Sequence, residues 1–110
     1  MFNKDANYGT YFGELKTFEE MQFETNENFS YAAFSGSEST EKTEELVESL
    51  RSAGVEEILF DVEDLNDYSD TLFFRTGEKT DHKALMLIIV PMRPHEFSEE
   101  SPNHFRMWFD

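Results

Sequence analysis

Apolar residues recur at helical spacing in one part of the chain, between residues 40 and 53. Positions three or four residues apart lie on one face of an α-helix. Ser39 or Thr40 can cap the N-terminus of this helix, and Gly54 suits the left-handed position that often follows a helix end. The sequence therefore predicts one principal helix over residues 40–53, with glutamates on its wetter side. Its apolar stripe consists of Leu46, Val47, Leu50 and Ala53.

Five other stretches carry the signals of β-strands. In residues 55–62, apolar and polar positions alternate, which is typical of a strand with one buried face. Residues 83–90 are almost continuously apolar, which predicts a central strand covered on both faces and ended by Pro91. The predicted strands are residues 29–34, 55–62, 71–76, 83–90 and 104–109.

The first 28 residues allow two interpretations. Thr17 and Glu20 have the spacing of a capping box, which predicts a short helix over residues 17–24. Met21 and Phe23 also alternate with polar residues, which predicts a strand in the same place. We favour the strand.

These elements predict an α+β fold in a single domain that spans residues 1–110. We expect a mixed or mostly antiparallel sheet of about five to six strands, with the main helix over residues 40–53 packed on one face. The strand–helix–strand segment at residues 29–62 is expected to cross over with right-handed connectivity. The later strands have short connections, which favour antiparallel pairing.

The composition supports a folded core. Of the 110 residues, 38% are hydrophobic and twelve are Phe, whereas a disordered acidic chain has few aromatic residues.

The absence of Cys excludes disulfides and thiolate chemistry and indicates a reducing compartment. The sequence starts without the apolar run of a signal peptide, and its longest apolar run, 84–90, is far shorter than the ~18 residues that indicate a membrane span. We therefore expect a soluble, cytoplasmic protein.

The charge is strongly negative and unevenly distributed. The formal net charge is −15; residues 1–70 hold 18 acids and 4 bases, whereas residues 71–110 hold 6 acids and 5 bases. Nucleic acids and anionic membranes are polyanions, so this balance argues against direct binding to either. A general gain of solubility does not require the asymmetry, whereas an acidic functional face accounts for it.

The most acidic stretch is DVEDLNDYSD, at residues 61–70. A calcium-binding helix–loop–helix site needs oxygen ligands at loop positions 1, 3 and 5, Gly at position 6 and Glu at position 12. A loop that starts at Asp64 places Arg75 at position 12, and one that starts at Asp61 places Leu65 at position 5. Neither register fits, so we predict an acidic loop with no metal or other cofactor. A looser, calcium-dependent site is the alternative for this stretch.

Like charges face each other along the predicted helix. Glu41–Glu45 and Glu44–Glu48 are i,i+4 pairs, and each such pair destabilises an isolated helix by about 0.2–0.5 kcal/mol. Selection for stability alone allows Lys at one of these positions, so the pairs indicate an anionic surface that serves a partner. An ordinary solvated helix face is the alternative. The predicted partner-binding residues are Glu41, Glu44, Glu45, Glu48, Glu63, Asp64, Asp67, Tyr68, Asp70 and Trp108.

Affinity for a partner also requires desolvated anchors, typically aromatic residues or Arg. In the C-terminal strand, Phe105, Met107 and Phe109 are expected to face the core, with Trp108 packed under another segment. If this strand instead lies at a sheet edge, it offers a surface for a partner or for a homodimer. The candidate aromatic anchors are Tyr8, Tyr11, Phe12, Tyr68 and Trp108.

Motifs of enzymes are scarce in this sequence. It contains no G-x-S-x-G motif, no Walker loop and no G-x-G-x-x-G motif, and its three His residues match no zinc-binding pattern. Acidic pairs abound, but their abundance makes any chosen pair uninformative about acid–base catalysis. We therefore expect a binding protein and not an enzyme.

Charge and size together favour an inhibitor of a basic protein. A compact chain with spaced carboxylates can occupy a groove that otherwise binds nucleic acid. Small inhibitors of nucleases, restriction enzymes and CRISPR effectors use this strategy, as do immunity proteins against nuclease toxins; the likeness is of charge and size, not of sequence. We expect a nucleic-acid mimic that acts on a basic, nucleic-acid-handling enzyme, such as a counter-defence factor of a phage or mobile element. The alternative is a structural or regulatory module whose acidity serves solvation only.

Overall fold

The computed structural model describes residues 14–62 and 67–109, and these residues form three helices and seven strands. The helices are Phe18–Glu24 (α1), Ser39–Ser52 (α2) and His82–Met92 (α3). The strands are Leu15–Lys16 (β1), Ser30–Tyr31 (β2), Glu57–Asp61 (β3), Tyr68–Ser69 (β4), Thr71–Arg75 (β5), Glu96–Ser101 (β6) and His104–Trp108 (β7).

Five of these strands form an antiparallel sheet. Their spatial order is β1-β3-β5-β7-β6, and every neighbouring pair in it is antiparallel. β2 and β4 form a separate, two-stranded parallel sheet. The predicted α+β fold with a mostly antiparallel sheet is therefore confirmed, and the strands predicted at 55–62, 71–76 and 104–109 correspond to β3, β5 and β7.

One face of the antiparallel sheet carries the hydrophobic core. Phe60 pairs with Leu72, and Leu72 pairs with Met107, so these three side chains share a face, where all are fully buried. Phe109 is also buried, and Phe105 packs partly buried against the same core, which confirms their predicted orientation. All three helices contribute to this core, through Phe18 and Met21 of α1, Leu46, Val47 and Leu50 of α2, and Leu85 and Ile89 of α3.

The predicted principal helix is confirmed as α2, but the predicted cap is wrong: the N-cap is Glu38, without a side-chain hydrogen bond, and not Ser39 or Thr40. Its apolar stripe is buried together with Thr43, which leaves its glutamates on the opposite side, in solvent. After the helix, Gly54 has a φ of 90°, the left-handed conformation expected of it.

The strand predicted at residues 83–90 is wrong, because these residues belong to α3. The Asp81 carboxylate accepts a hydrogen bond from the Ala84 amide at 3.0 Å and so caps the helix N-terminus. Leu85 and Ile89, one helical turn apart, are the residues buried in the core. A continuous apolar run fits a buried strand and a buried helix equally well, and here the cap and the i,i+4 burial decide for the helix.

The strand favoured at residues 17–24 is also wrong, because α1 occupies this position. Thr17 accepts from the Glu20 amide at 3.1 Å, and the Glu20 carboxylate accepts from the Thr17 amide at 2.8 Å. This reciprocal capping box satisfies two donors that a helix start otherwise leaves unpaired, which stabilises the helix over the strand.

The strand predicted at residues 29–34 is shorter than expected. Only Ser30–Tyr31 is extended, and the chain turns after it, with the Phe34 amide donating to the Tyr31 carbonyl at 3.0 Å. β2 pairs with β4 and not with a strand of the larger sheet, so the predicted strand–helix–strand crossover at 29–62 does not form within one sheet.

The C-terminal strand is not at a sheet edge. β7 lies between β5 and β6, and β6 was not predicted from the sequence. Among the described strands, the edges of the larger sheet are the short β1 and the glutamate-rich β6, with charges that discourage edge-to-edge pairing.

Candidate partner-binding site

The acidic face of α2 is a charged feature of the described surface. All four of its predicted partner-binding glutamates are exposed, on the side opposite the buried stripe. Within residues 14–62 and 67–109, none of them lies within 4 Å of a Lys, Arg or His nitrogen. Among the described residues, the face therefore presents its carboxylates to solvent without a directly paired cation, and Arg51 of the same helix attracts Glu48 only at longer range. These residues are Glu41, Glu44, Glu45 and Glu48.

The ion pairs among the described residues involve acids other than these four glutamates. Arg51, the arginine of α2, donates to both carboxylate oxygens of Glu19 on α1, at 2.7 and 2.8 Å. These hydrogen bonds lower the pKa of Glu19 and raise the pKa of Arg51. Other cations pair with acids outside the α2 face, as in Lys16–Glu24 at 2.6 Å. Because the pairs are partly or largely exposed, each contributes little stability.

An exposed apolar surface lies on α3. The exposed fractions are 42% for Met86, 69% for Leu87 and 61% for Val90, while the opposite side of the helix is buried in the core. A helix that is apolar on all sides is normally buried on all sides. Contiguous exposed apolar residues of this kind mark interaction sites in soluble proteins.

A groove of about 610 Å³ separates the acidic face of α2 from the apolar surface of α3. One wall is acidic and hydroxylic, and the other is apolar. We call this feature the α2–α3 groove. Its walls are formed mainly by Glu45, Glu48 and Ser52 of α2 and by Ala84, Leu87 and Ile88 of α3.

Hydrogen bonds between the end of α2 and the start of α3 fix the two walls relative to each other. The Asp81 amide donates to the Ala53 carbonyl at 2.7 Å, and the buried Thr80 hydroxyl donates to the Gly54 carbonyl at 2.7 Å. Thr80 also accepts from the Gly77 amide at 2.8 Å. The groove is therefore formed by helices whose adjoining ends are held by backbone contacts.

The second acidic region is only partly on the surface. Asp67 and Tyr68 are exposed, whereas Asp70 is half-buried and accepts a hydrogen bond from the Thr71 hydroxyl at 2.9 Å. Asp70 therefore lies at the edge of the core, where little of its side chain is available to a partner. Glu63 and Asp64 of the same predicted set lie outside the described residues.

β2 connects this region to α2. The Ser30 amide donates to the Asp67 carbonyl at 2.9 Å, and the Tyr31 amide donates to the Thr43 hydroxyl at 2.9 Å. The segment around Tyr68 and the helix α2 therefore lie on two sides of the same short strand. The structure brings part of the predicted set into one neighbourhood, and Trp108 pairs with Thr71, beside Asp70, in the larger sheet.

Trp108 is half-buried in β7 and contacts the ring of His95 edge-on, with ring centroids 5.8 Å apart. This agrees with the expectation that it packs against another segment. Because β6 occupies the free side of β7, a homodimer cannot form by pairing with the backbone of β7. The other candidate anchors Tyr8, Tyr11 and Phe12 lie outside the described residues.

The apolar wall of the groove, at Leu87 and Ile88, was not predicted from the sequence. The error follows from the strand assigned to residues 83–90, since a central strand buries both of its faces. The signal that could have found this wall is Asp81, three residues before Ala84, at capping distance from a run of strong helix formers.

In the part of the chain that the structure describes, no group of three or more His, Asp or Glu residues is arranged to hold a metal ion. Over the same residues, none of the helices has the length and apolar character needed to cross a membrane.

Comparison of the chain with protein-family models, with curated proteins and with solved structures finds no match.

Proposed function

We propose that this chain is a non-catalytic binding protein that inhibits a basic, nucleic-acid-handling protein in the cytoplasm. The observation that carries the proposal is the face of α2, where four exposed glutamates have no cation within 4 Å among the described residues. The net charge of −15 adds a negative potential over the whole molecule to the potential of this face.

The spacing of the carboxylates suits a groove built for a nucleic-acid backbone. From Glu41 to Glu48 the helix rises by about 10 Å, at 1.5 Å per residue. Along one strand of B-DNA, phosphates follow each other at about 3.4 Å of axial rise, so this face extends over about three phosphate steps. A basic groove that holds phosphates can therefore hold this helix instead, and nucleic acid is then excluded by competition.

Electrostatics in this mechanism acts mainly on the rate of association. A negative face of this extent steers encounter with a positive groove, and salt weakens the steering. Charges alone give limited affinity, since exposed ion pairs contribute little each. The apolar surface of α3 beside the acidic face provides the contacts that slow dissociation.

The test reverses two charges of α2 without endangering the fold. Glu45→Lys with Glu48→Lys turns both like-charge i,i+4 pairs into Glu–Lys pairs in the favourable order. This gain offsets the i,i+3 attractions to Lys42 and Arg51 that the same changes remove, so we expect the helix to stay folded. The matched control, Glu27→Lys with Glu78→Lys, changes two exposed glutamates outside α2. Each double variant has a net charge of −15 + 4 = −11, so overall charge does not distinguish them.

The targets are proteins captured from nuclease-treated lysate, then purified and assayed for binding and for competition by duplex DNA. We expect the captured protein to bind nucleic acid, and we expect the α2 variant to bind it at least about tenfold more weakly, a difference of about 1.4 kcal/mol. The control variant should keep most of the affinity. Equal losses in the two variants, or a target that does not handle nucleic acid, would contradict the proposal.

A further inference from the structure

We infer that the α2–α3 groove binds an amphipathic, basic α-helix of the partner protein, an inference that rests on the proposed function and specifies its partner surface. The groove presents an apolar wall on α3 and an acidic wall on α2, and its occupant needs the complementary surface on each side.

The apolar wall calls for apolar residues on one side of the occupant. Leu87 is 69% exposed, and Ala84 and Ile88 line the groove next to it while they also pack against the core. The exposed apolar surface continues from Leu87 to Val90, which is 61% exposed. An amphipathic helix matches such a wall with apolar residues at i, i+3, i+4 and i+7.

The acidic wall calls for cations on another side of the same occupant. Glu45 and Glu48 line the groove, and neither is within 4 Å of a cation among the described residues. Lys or Arg residues beside the apolar stripe of the occupant would pair with them. This charge complementarity selects a basic helix over a neutral one.

The lengths of the walls set the length of the occupant. The groove is lined from Glu45 to Ala53 on the α2 side and from Ala84 to Ile88 on α3, which correspond to about 12 Å and 6 Å of helix. A segment of about two helical turns therefore covers the lined part of the groove.

Charge disfavours a second copy of this chain as the occupant. A two-fold contact between α3 helices uses the same surface on both copies, so it would bring two acidic α2 walls of like charge together. Each copy carries −15, which adds repulsion over the whole molecule. An anionic membrane surface is disfavoured for the same reason, whereas a basic amphipathic helix satisfies both walls.

The probe is a synthetic peptide of about five helical turns, with Leu at i, i+3, i+4 and i+7 and Lys on the remaining positions. A scrambled peptide of identical composition has the same charge without the apolar stripe. We expect the amphipathic peptide to bind the full chain at least about tenfold more tightly than the scrambled one in titration calorimetry, a difference of about 1.4 kcal/mol.

Two protein variants locate the binding. Leu87→Gln removes the exposed apolar side chain of the groove wall. We expect this variant to bind the amphipathic peptide only as weakly as it binds the scrambled one. Phe23→Gln removes a side chain on α1 that is 88% exposed and outside the groove, so it should leave binding unchanged. Both replaced side chains are largely in solvent, and circular dichroism verifies that the variants fold.

The outcomes separate this inference from the proposed function. If the two peptides bind equally and only the Glu45→Lys, Glu48→Lys variant weakens them, the acidic face binds cations without the groove, and the inference is wrong while the proposed function stands. If neither peptide binds, the groove is not a site for a basic helix. If sedimentation shows a dimer that Leu87→Gln dissociates, the apolar wall belongs to a second copy and the inference is overturned.

Discussion

Gly54 is the residue on which the junction between α2 and the segment before α3 depends. Its φ is 90°, and a Cβ at this position would lie 2.7 Å from the Lys79 carbonyl oxygen and 2.9 Å from the Thr80 Cα. These are backbone atoms, which cannot move aside as the end of a flexible side chain can. The residue therefore requires Gly for two reasons, its conformation and the close approach of the chain.

Comparison of Gly54→Ala with Gly36→Ala should separate the cost of the conformation from the cost of the close approach. Gly36 has a φ of 89° with nothing within 4 Å of its would-be Cβ, so Gly36→Ala loses only the conformational preference, at a cost of about 1–2 kcal/mol. We expect Gly54→Ala to lose a further ~1–3 kcal/mol because the backbone must shift to accommodate the methyl group. Urea denaturation of both variants measures the difference, and equal losses would show that the close approach costs nothing.

Tyr31 is the buried titratable side chain of the core. It is fully buried, and its hydroxyl donates to the Met107 carbonyl at 2.6 Å. Burial raises the pKa of Tyr31 far above its ordinary value, and the negative charge of Asp70 raises it further. The folded state therefore retains this proton at a pH where the unfolded chain releases it.

The consequence is a loss of stability in alkaline solution. An unfolded tyrosine ionises near pH 10, so above this pH the unfolded state binds fewer protons and the free energy of unfolding falls, by about 1.4 kcal/mol per pH unit for one such group. Tyr31→Phe lacks this contribution, and it also loses a buried hydrogen bond, at about 1 kcal/mol in neutral solution. The stability gap between wild type and variant should therefore narrow above pH ~10. Tyr68→Phe, at a half-exposed position, is the control, and its free energy of unfolding should fall with pH as steeply as that of the wild type. If the free energies of Tyr31→Phe and wild type change in parallel above this pH, the prediction is contradicted.

Among the elements, α3 depends most directly on a single side chain at its start. Asp81 caps the helix, and loss of a capping side chain costs about 0.5–2 kcal/mol. We expect Asp81→Ala to lower the free energy of unfolding by about 1 kcal/mol, whereas Asp81→Asn, which can accept the same hydrogen bond, should lose only a few tenths. Urea denaturation followed by circular dichroism compares them. If Asn and Ala are equally destabilising, the cap does not contribute as the geometry indicates.

α2 and α3 show what local sequence can and cannot predict at this scale. α2 was predictable because its apolar residues follow one period and the glutamates define the other side. α3 was not, since Leu85 to Val90 are apolar at every position, and periodicity then gives no preference between strand and helix. β6 was not predicted because apolar and polar residues alternate too weakly in its sequence, EFSEES. The strand forms by pairing with β7, which is a tertiary contact.

The candidate site also has one part that the sequence predicts and one part that it does not. Its acidic wall follows from the spacing of Glu45 and Glu48 along a helix that the sequence predicts. Its apolar wall depends on the distance between α2 and α3, which are separated by the 29 residues 53–81. That distance is set by the backbone contacts of Ala53 and Gly54 with the residues before α3, which a single sequence does not reveal.

The whole molecule is a strongly anionic body whose like charges repel each other. The formal charge of −15 destabilises the compact state in dilute buffer, and salt screens this repulsion within a Debye length of about 10 Å at 0.1 M. Two hypotheses for the acidity differ in where the repulsion lies. If acidity serves solvation only, it is spread over the surface, whereas a functional face concentrates it on α2.

The salt dependence of thermal unfolding distinguishes these hypotheses. We expect the melting temperature of the wild type to rise by about 4–8 °C from low to high NaCl, the shift that corresponds to about 1 kcal/mol in a domain near this size. Glu45→Lys with Glu48→Lys replaces both like-charge i,i+4 pairs of α2 by Glu–Lys pairs, so its melting temperature should respond less to salt. Glu27→Lys with Glu78→Lys reaches the same net charge of −11 without changing α2, and it should keep more of the wild-type response. Identical salt responses in the two variants would mean that only total charge matters, and the acidity of α2 would then need no functional explanation.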